Sequence, residues 1–167
     1  MMRVVRSGIR GGARVAIAAL MAGAVGCTGE IDPERVEARA LAAGRFEVAE
    51  GGPRLVEAGT RIACAPGVVF GVDYRVEVES GGGGTLPISF WWIHPEFAIP
   101  SKKLWGRETA ARAANPKLAR GERVMDGRAL WTLEDPDERV DGEYRFEIRR
   151  ATEGAPILAV PFTVEGC

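Results

Sequence analysis

The feature that most constrains the fold is a succession of short apolar segments, separated by turns rich in Gly, Pro and Asp, that runs from Cys64 to Cys167. In Arg75-Val76-Glu77-Val78-Glu79 charged residues alternate with valine, so one side of the segment faces water and the other faces a core. No long helical period competes with this alternation. The pattern predicts an all-β protein built as a single antiparallel β-sandwich.

We predict six strands in this part of the chain, at residues 69–79, 86–94, 123–125, 129–134, 143–149 and 157–164. Upstream, the segment 33–43 is ambiguous. Asp32-Pro33-Glu34 is typical of a helix start, whereas Val36, Ala38 and Ala40 alternate as they would in a strand.

The first 26 residues have the composition of a secretory signal peptide. Residues 1–14 hold four arginines and no acidic residue, and residues 15–25 form an apolar run that is too short to span a membrane. The run ends in Ala24-Val25-Gly26-Cys27, which resembles the lipobox of bacterial lipoproteins, with Ala24 in place of the usual Leu. We therefore predict that Cys27 carries a lipid; a plain signal peptide, or a buried apolar helix of a cytoplasmic protein, is the alternative.

Lipidation of Cys27 would divide the chain into a signal peptide (1–26), a tether (27–34) and a sandwich domain (35–167), and would anchor the domain to a membrane of the cell envelope. Thr28 follows the cysteine, whereas an Asp there retains lipoproteins in the inner membrane of some Gram-negative bacteria. The resemblance to lipoproteins thus implies the periplasmic face of the outer membrane.

With Cys27 lipidated, Cys64 and Cys167 form an even pair in an oxidising compartment, which predicts a disulfide. Two inert thiols, or one reactive thiol, are the alternatives. Because neither cysteine lies in a Cys-x-x-Cys motif or beside a pair of cations, the sequence gives no sign of a reactive thiol.

The charge balance argues against nucleic acid as a partner. The signal peptide carries four of the 22 basic residues and none of the 23 acidic residues, which leaves residues 27–167 with a net charge of −5. A chain of that charge has no general attraction for a phosphate backbone.

The segment VDGEYRFEIRR looks like strand F of an immunoglobulin-like domain, because Asp141-Gly142 forms a turn before the aromatic Tyr144. Phe146 stands where the cysteine of antibody domains would be, so the resemblance is to the wider class of immunoglobulin-like sandwiches. In that topology ISFWWIHP is strand C and ILAVPFTVEGC is the last strand. Cys64 and Cys167 would then lie at one pole of the sandwich, which supports the predicted disulfide.

Residues 36–164 also resemble a bacterial family of domains of unknown function, numbered three thousand eight hundred and fifty-nine. The matching motifs are Gly44 in an aromatic-Gly region, Phe70-Gly71 before the second strand, and His94-Pro95 at the end of the third. The resemblance implies a secreted or lipid-anchored sandwich and favours a strand at 33–43. It carries no established activity and transfers no catalytic residue.

His94 is the only histidine of the chain and lies next to the tryptophans Trp91 and Trp92. A catalytic histidine needs a nucleophile and an orienting group, and a metal site needs three or four ligands. Because no second histidine exists, we expect His94 to be a structural residue bonded to backbone, and we expect no catalytic residue and no cofactor. A hydrolase that uses the region around His94 is the less favoured alternative.

The acidic segment 134–143 offers carboxylates in a loop between strands, where some sandwich domains bind calcium. Arg139 occupies an alternate position of this loop, and the glycine of an EF-hand is missing. A solvated turn is the favoured interpretation, with calcium as the alternative.

The segment 97–121 is long for a sandwich connection and predicts a basic loop with a net charge of +5, against −10 for the rest of the mature chain. The alternative is a solvated loop that contains a short helix at 108–114. Strand ISFWWIH is apolar on both faces, so something must cover Trp91. We predict partner binding by the residues Lys102, Lys103, Trp105, Arg107 and Trp91.

These observations predict a non-enzymatic, lipid-anchored module of the cell envelope that binds an anionic envelope component or a protein. An inhibitor of an envelope enzyme and a purely structural role are the alternatives.

Overall fold

The computed structural model describes residues 31–32, 35–79, 83–99, 104–112, 115–150 and 155–167. These residues form eleven strands: β1 (Val36–Ala49), β2 (Gly52–Ala58), β3 (Arg61–Ala63), β4 (Val69–Val78), β5 (Gly84–Thr85), β6 (Ile88–Ile99), β7 (Leu104–Arg112), β8 (Lys117–Leu118), β9 (Val124–Thr132), β10 (Gly142–Arg150) and β11 (Pro156–Glu165). A 3-10 turn spans Pro136–Glu138. None of the helical segments found among the described residues is long and apolar enough to cross a membrane.

The strands form two main sheets. One has the order β2-β1-β4-β9 and the other has the order β3-β11-β10-β6-β7, while β5 and β8 pair separately. Neighbouring strands are antiparallel except β3 and β11, which run parallel. The predicted all-β, immunoglobulin-like antiparallel sandwich is thus confirmed, and the segment 33–43 is resolved in favour of a strand from Val36 onwards.

Aromatic side chains hold the two sheets together. The ring of Phe70 in β4 lies edge-on to Trp92 in β6 at 5.7 Å and to Tyr144 in β10 at 5.6 Å between centroids. Tyr74, four residues further along β4, stacks on Phe146 with 5.4 Å between the ring centroids. All five side chains are fully or almost fully buried. Such edge-to-face and stacked contacts between rings stabilise the core beyond what the burial of apolar area contributes.

Glycine in β4 and β9 allows this close packing. A Cβ at Gly127 would lie 2.5 Å from the ring of Tyr74, and a Cβ at Gly71 would lie 2.0 Å from the carbonyl oxygen of Ala129. Gly127 also explains why the predicted strands 123–125 and 129–134 are one strand, β9: the turn-like Asp126-Gly127-Arg128 leaves space for Tyr74 and continues the pairing with β4.

Tyr144 fixes the loop that precedes β10. Its hydroxyl donates to the carbonyl oxygen of Glu138 at 2.8 Å and lies 3.3 Å from that of Val140. Burial raises the pKa of Tyr144 to about 12. This is the tyrosine corner of immunoglobulin-like domains. Gly142 of the same turn packs against Pro95, because a Cβ there would lie 2.9 Å from the Pro95 Cγ.

Cys64 and Cys167 form the predicted disulfide, with their Cα atoms 5.0 Å apart. Pairing of β3 with the end of β11 brings them together, since the backbone N–H of Cys64 donates to Glu165 at 2.8 Å. Closing a loop of this length stabilises the fold by roughly 4–5 kcal/mol in the chain-entropy model.

The prediction of a long loop at 97–121 is wrong, as is its alternative of a helix at 108–114. Strand β6 continues to Ile99, and β7 and β8 follow within the same stretch. Glu108 and Ala110, which favour a helix locally, pair with Ile93 and Trp91 across the sheet. Cross-strand pairing therefore outweighs local helix propensity here.

His94-Pro95 does not end the third strand as the motif resemblance implied. The pairing register between β6 and β7 shifts between Ile93 and Phe97, and Pro95 lies within that irregularity. A bulge tolerates proline because the residue there does not need to donate a ladder hydrogen bond.

The sandwich has two poles, which the strand directions define. The disulfide pole contains the Cys64–Cys167 bridge, the end of β9 and the start of β10. The opposite pole, called the Ile31 pole below, contains Ile31, β5, β8 and the start of β9. The backbone N–H of Ile31 donates to Thr85 in β5 at 3.1 Å, and its side chain is buried against the core.

Candidate functional site

His94 lies on the inner face of β6 and is 2% exposed. Its Nδ1 is 2.9 Å from the carbonyl oxygen of Pro95, and its Nε2 is 3.0 Å from the hydroxyl of Thr109 in β7. A carbonyl can only accept, so Nδ1 carries the proton and Nε2 accepts from Thr109. The ring also packs 5.2 Å from that of Trp131.

Burial lowers the pKa of His94, and this effect outweighs the opposing hydrogen bond to Pro95 and the fields of Glu138 and Glu108. The ring is therefore neutral at pH 7. A threonine hydroxyl bonded to an imidazole could in principle act as a nucleophile and its base. Periodicity along the chain does not predict this pair, because Thr109 and His94 meet only across the β6–β7 ladder. With 2% exposure, however, the imidazole cannot reach a substrate proton without opening of the core.

The acidic segment 134–143 is organised by backbone contacts. The backbone N–H of Asp135 lies 3.5 Å from a carboxylate oxygen of Glu138, and Asp141 accepts from the backbone N–H of Cys167 at 2.8 Å. Glu138 is 3% exposed. Within the described ranges, no three His, Cys, Asp or Glu side chains converge as a metal site would require.

The outer face of the five-stranded sheet explains what covers Trp91. The guanidinium of Arg149 lies over the indole ring, 5.6 Å from its centroid. Arg149 is held there by Glu147 in its own strand, at 2.6 Å, and by Glu108 in β7, at 3.0 Å. The indole N–H of Trp91 donates to Ser89 at 2.9 Å.

Glu147 is the centre of this ladder of charges along β10. Its side chain is 5% exposed and accepts from Arg145 at 2.7 Å as well as from Arg149. Arg145 in turn donates to Glu143 at 2.9 Å. From the sequence, we expected the long loop or a partner to cover Trp91. The cover is instead an ion-pair network supplied mainly by β10. Along β10, charged residues on the outer face alternate with buried apolar residues on the inner face.

Of the five predicted partner-binding residues, the structure describes the side chains of Trp91 and Arg107 only. Lys102 and Lys103 lie outside the described residues. Trp105 lies in β7, where it pairs with Ala98 of β6. Arg107 is exposed and 3.4 Å from Glu96. Since Arg107 and Glu108 are consecutive in β7 and Glu108 reaches Arg149 on the outer face, Arg107 and Trp91 lie on opposite sides of the sheet.

The strands that flank residues 100–103 lead beyond the disulfide pole. The pairs Phe97–Gly106, Ala98–Trp105 and Ile99–Leu104 extend the β6–β7 hairpin past Pro95, which packs on the first residue of β10. The described ends of β6 and β7 therefore lie at the disulfide pole, opposite the Ile31 pole.

A shallow cleft of about 340 Å³ opens at the disulfide pole. Nothing in the sequence pattern predicted it. Its lining combines Arg45, Glu57, Arg61 and Glu165 with the backbone at Ala58 and Gly59. Arg45 pairs with Glu57 at 3.2 Å, whereas Arg61 makes no ion pair with a described acidic residue.

No protein-family model matches the chain, and no curated protein matches its sequence. Among solved structures, an immunoglobulin-like protein from Pseudomonas aeruginosa is similar, with a TM-score of 0.55 and 18% identity over 78% of this chain and 98% of that protein. An alkylpurine DNA glycosylase from Pseudomonas fluorescens (TM-score 0.49, 9% identity, 79% of this chain and 31% of the other) and a β-glucosidase from Listeria innocua (0.47, 11%, 78% and 16%) are weaker matches. The first similarity establishes the fold.

We predict that the imidazole of His94 titrates with a midpoint below 6.5, because it is buried. Its folded pKa lies below the unfolded one, so the associated stability is complete above pH 6.5 and is lost as the pH falls through the folded pKa. NMR titration of the single histidine, with urea unfolding at several pH values, measures both. The His94→Asn variant should lose less stability on acidification; a midpoint at or above 6.5 would contradict burial of the ring.

We predict that Arg149→Ala lowers the free energy of unfolding by about 2 kcal/mol, because buried Glu147 loses one of its two guanidinium partners. Acrylamide quenching of tryptophan fluorescence should also increase as Trp91 is uncovered. Arg75→Ala is the matched control: Arg75 pairs with Asp126 at 2.6 Å on the other sheet, where Asp126 is 53% exposed, so a smaller loss is expected. Equal losses in the two variants would contradict a special role for the Glu147 ladder.

Proposed function

We propose that this chain is a non-catalytic, lipid-anchored immunoglobulin-like module of the bacterial cell envelope, which binds an envelope component through the β6–β7 hairpin. The fold similarity to the immunoglobulin-like protein of Pseudomonas aeruginosa supports a binding or structural module. The lipobox-like Ala24-Val25-Gly26-Cys27 supports the anchor, which would place the domain on the periplasmic face of the outer membrane. The Gly44 and Phe70-Gly71 motifs support membership of the family of unknown function that the sequence resembles.

The observation that carries the non-catalytic part of the proposal is the burial of His94. It is the only imidazole of the chain, and both its nitrogens are engaged inside the core. The side chain that sequence offered for acid–base chemistry therefore stabilises the junction of β6 and β7.

The hairpin is the proposed binding surface because of its charge and its projection. Within the hairpin, residues 97–112 hold Lys102, Lys103, Arg107 and Arg112 against Glu108 alone, a net charge of +3 in a mature chain whose net charge is −5. Such a segment favours an anionic envelope component or an acidic protein. Trp105 would add an aromatic anchor of the kind that dominates interfaces, while Trp91, covered by Arg149, contributes to the support of the hairpin strands.

The projection of the hairpin also favours a second candidate, an inhibitor of an envelope enzyme. Strands β6 and β7 stay paired as far as Ile99 and Leu104, well past the first residue of β10. A paired hairpin that extends beyond the body of a domain can enter a cleft while losing little conformational entropy.

Changing Cys27 to Ala tests the anchor. We expect the wild-type protein to sediment with membranes and the Cys27→Ala variant to be released into the soluble fraction, because the variant has no site for acylation. Fractionation with immunodetection measures this. Cys64→Ala, which removes a cysteine assigned to the disulfide, is the control and should stay with the membranes; persistence of Cys27→Ala on membranes would show that the anchor lies elsewhere.

Charge reversal tests the hairpin. The triple variant Lys102→Glu, Lys103→Glu and Arg107→Glu should reduce the yield of crosslinked partner in intact cells by about ten-fold or more, because attraction becomes repulsion. The control reverses three arginines elsewhere, Arg39, Arg54 and Arg61. Crosslinking that is unchanged in the hairpin variant, or lost equally in both, would refute the assignment.

A further inference from the structure

Three exposed cations cluster at the Ile31 pole. Lys117 lies in β8, Arg120 follows in the turn, and Arg123 precedes β9. All three are exposed, and none forms an ion pair with an acidic side chain in the described part of the chain. Nearby Glu122 is partly engaged, since its carboxylate accepts from the backbone N–H of Ala119 at 2.9 Å.

Backbone contacts fix these cations next to the entry of the chain into the domain. Strand β8 pairs with β5, and Thr85 of β5 accepts from the N–H of Ile31. The carbonyl of Arg123 accepts from Val78 at 2.9 Å, which ties the start of β9 to the end of β4. Backbone hydrogen bonds therefore tie the segments that carry these cations to the end of the domain that contains the buried Ile31.

The two poles differ in charge. Among the described residues of the Ile31 pole, Asp32 pairs with Arg35 at 3.6 Å, Glu122 precedes Arg123, and Glu79 follows Val78, which donates to Arg123. At the disulfide pole, the segment 134–141 holds five acidic residues and one arginine. Apart from the hairpin, the described part of the sandwich thus has unpaired cations at the Ile31 pole and an acidic segment at the disulfide pole.

The length of the tether decides which end meets a membrane. Four residue steps separate Cys27 from Ile31 and span at most about 14 Å when fully extended. If Cys27 carries a lipid, the Ile31 pole must lie close to the head groups, and the acidic pole must point away from them.

We propose that the Ile31 pole, through Lys117, Arg120 and Arg123, is a docking surface for anionic phospholipid head groups. The inference rests on the proposed lipid anchor and adds an orientation to it: the domain stands on its basic end and presents the β6–β7 hairpin away from the membrane. Each cation near an anionic membrane surface favours binding, and the attraction acts within a Debye length of about 10 Å at 0.1 M salt.

The three lysines of the chain allow a direct test, because Lys117 lies at the docking surface while Lys102 and Lys103 lie in the hairpin. The protein, expressed from the whole chain and purified in its mature form, is loaded into nanodiscs of phosphatidylcholine alone or with about 30 mol% phosphatidylglycerol, and amine acetylation rates are measured by mass spectrometry. We expect phosphatidylglycerol to slow acetylation of Lys117 by at least about three-fold and to leave Lys102 and Lys103 unchanged. The protection should disappear at about 0.5 M salt, where the charges are screened.

Two double variants with the same change of charge complete the test. Arg120→Glu with Arg123→Glu should abolish the protection of Lys117, whereas Arg54→Glu with Arg61→Glu, on exposed positions away from this pole, should retain it. Equal reactivity of Lys117 in the two kinds of disc, or protection of Lys102 and Lys103 in its place, would overturn the proposal. Failure of the protein to load into either disc would instead refute the lipid anchor, so the two failures are distinguishable.

Discussion

The contact on which the rest of the structure depends is the packing of Phe70 against Trp92 and Tyr144 across the two sheets. These rings meet edge to face at 5.6–5.7 Å, and beside them Phe146, at the position of the antibody-domain cysteine, stacks on Tyr74 of the other sheet at 5.4 Å. Here the disulfide lies at one pole, where it joins the last strand to the segment before β4. The centre is held by aromatic packing and the end by a covalent bond.

This core limits where function can reside. The inner faces are closed by large buried side chains, and His94, with its Thr109 partner, is part of that closure. Recognition is left to the outer faces, the strand edges and the two poles. The outer face around Trp91 is itself occupied by the Glu147 ladder, whose charges pair with one another.

The different charges at the two poles would orient the domain relative to a charged surface. Three exposed cations lie at the pole where the chain enters the sandwich, while the carboxylates of residues 134–141 and the described ends of β6 and β7 lie at the far end. A lipid on Cys27 would align the axis between the poles with the membrane normal, because a tether of about 14 Å is shorter than the domain. The orientation would therefore come from the place where the first strand begins, with no need for a second anchor.

Alternation along β4, β10 and β11 was sufficient to predict strands there, because each of these strands has one wet face and one buried face. Prediction failed for β7, whose Glu108–Arg112 segment favours a helix in isolation and becomes a strand only because β6 offers a free edge. It also failed to find the cover of Trp91 and the Thr109 partner of His94. Both depend on residues that are far apart in the chain and meet only across a ladder.

The sequence by itself determined the β-sandwich class, the pairing of Cys64 with Cys167 and the apolar faces of the central strand, since these follow from side-chain alternation and from the count of cysteines. Only the tertiary structure decided that Arg149 covers Trp91, that the described ends of β6 and β7 lie at the pole opposite the entry of the chain, and that three exposed cations lie at the same pole as Ile31. Those properties depend on strand order and register, which are set by the packing of one sheet on the other and leave no trace in local periodicity.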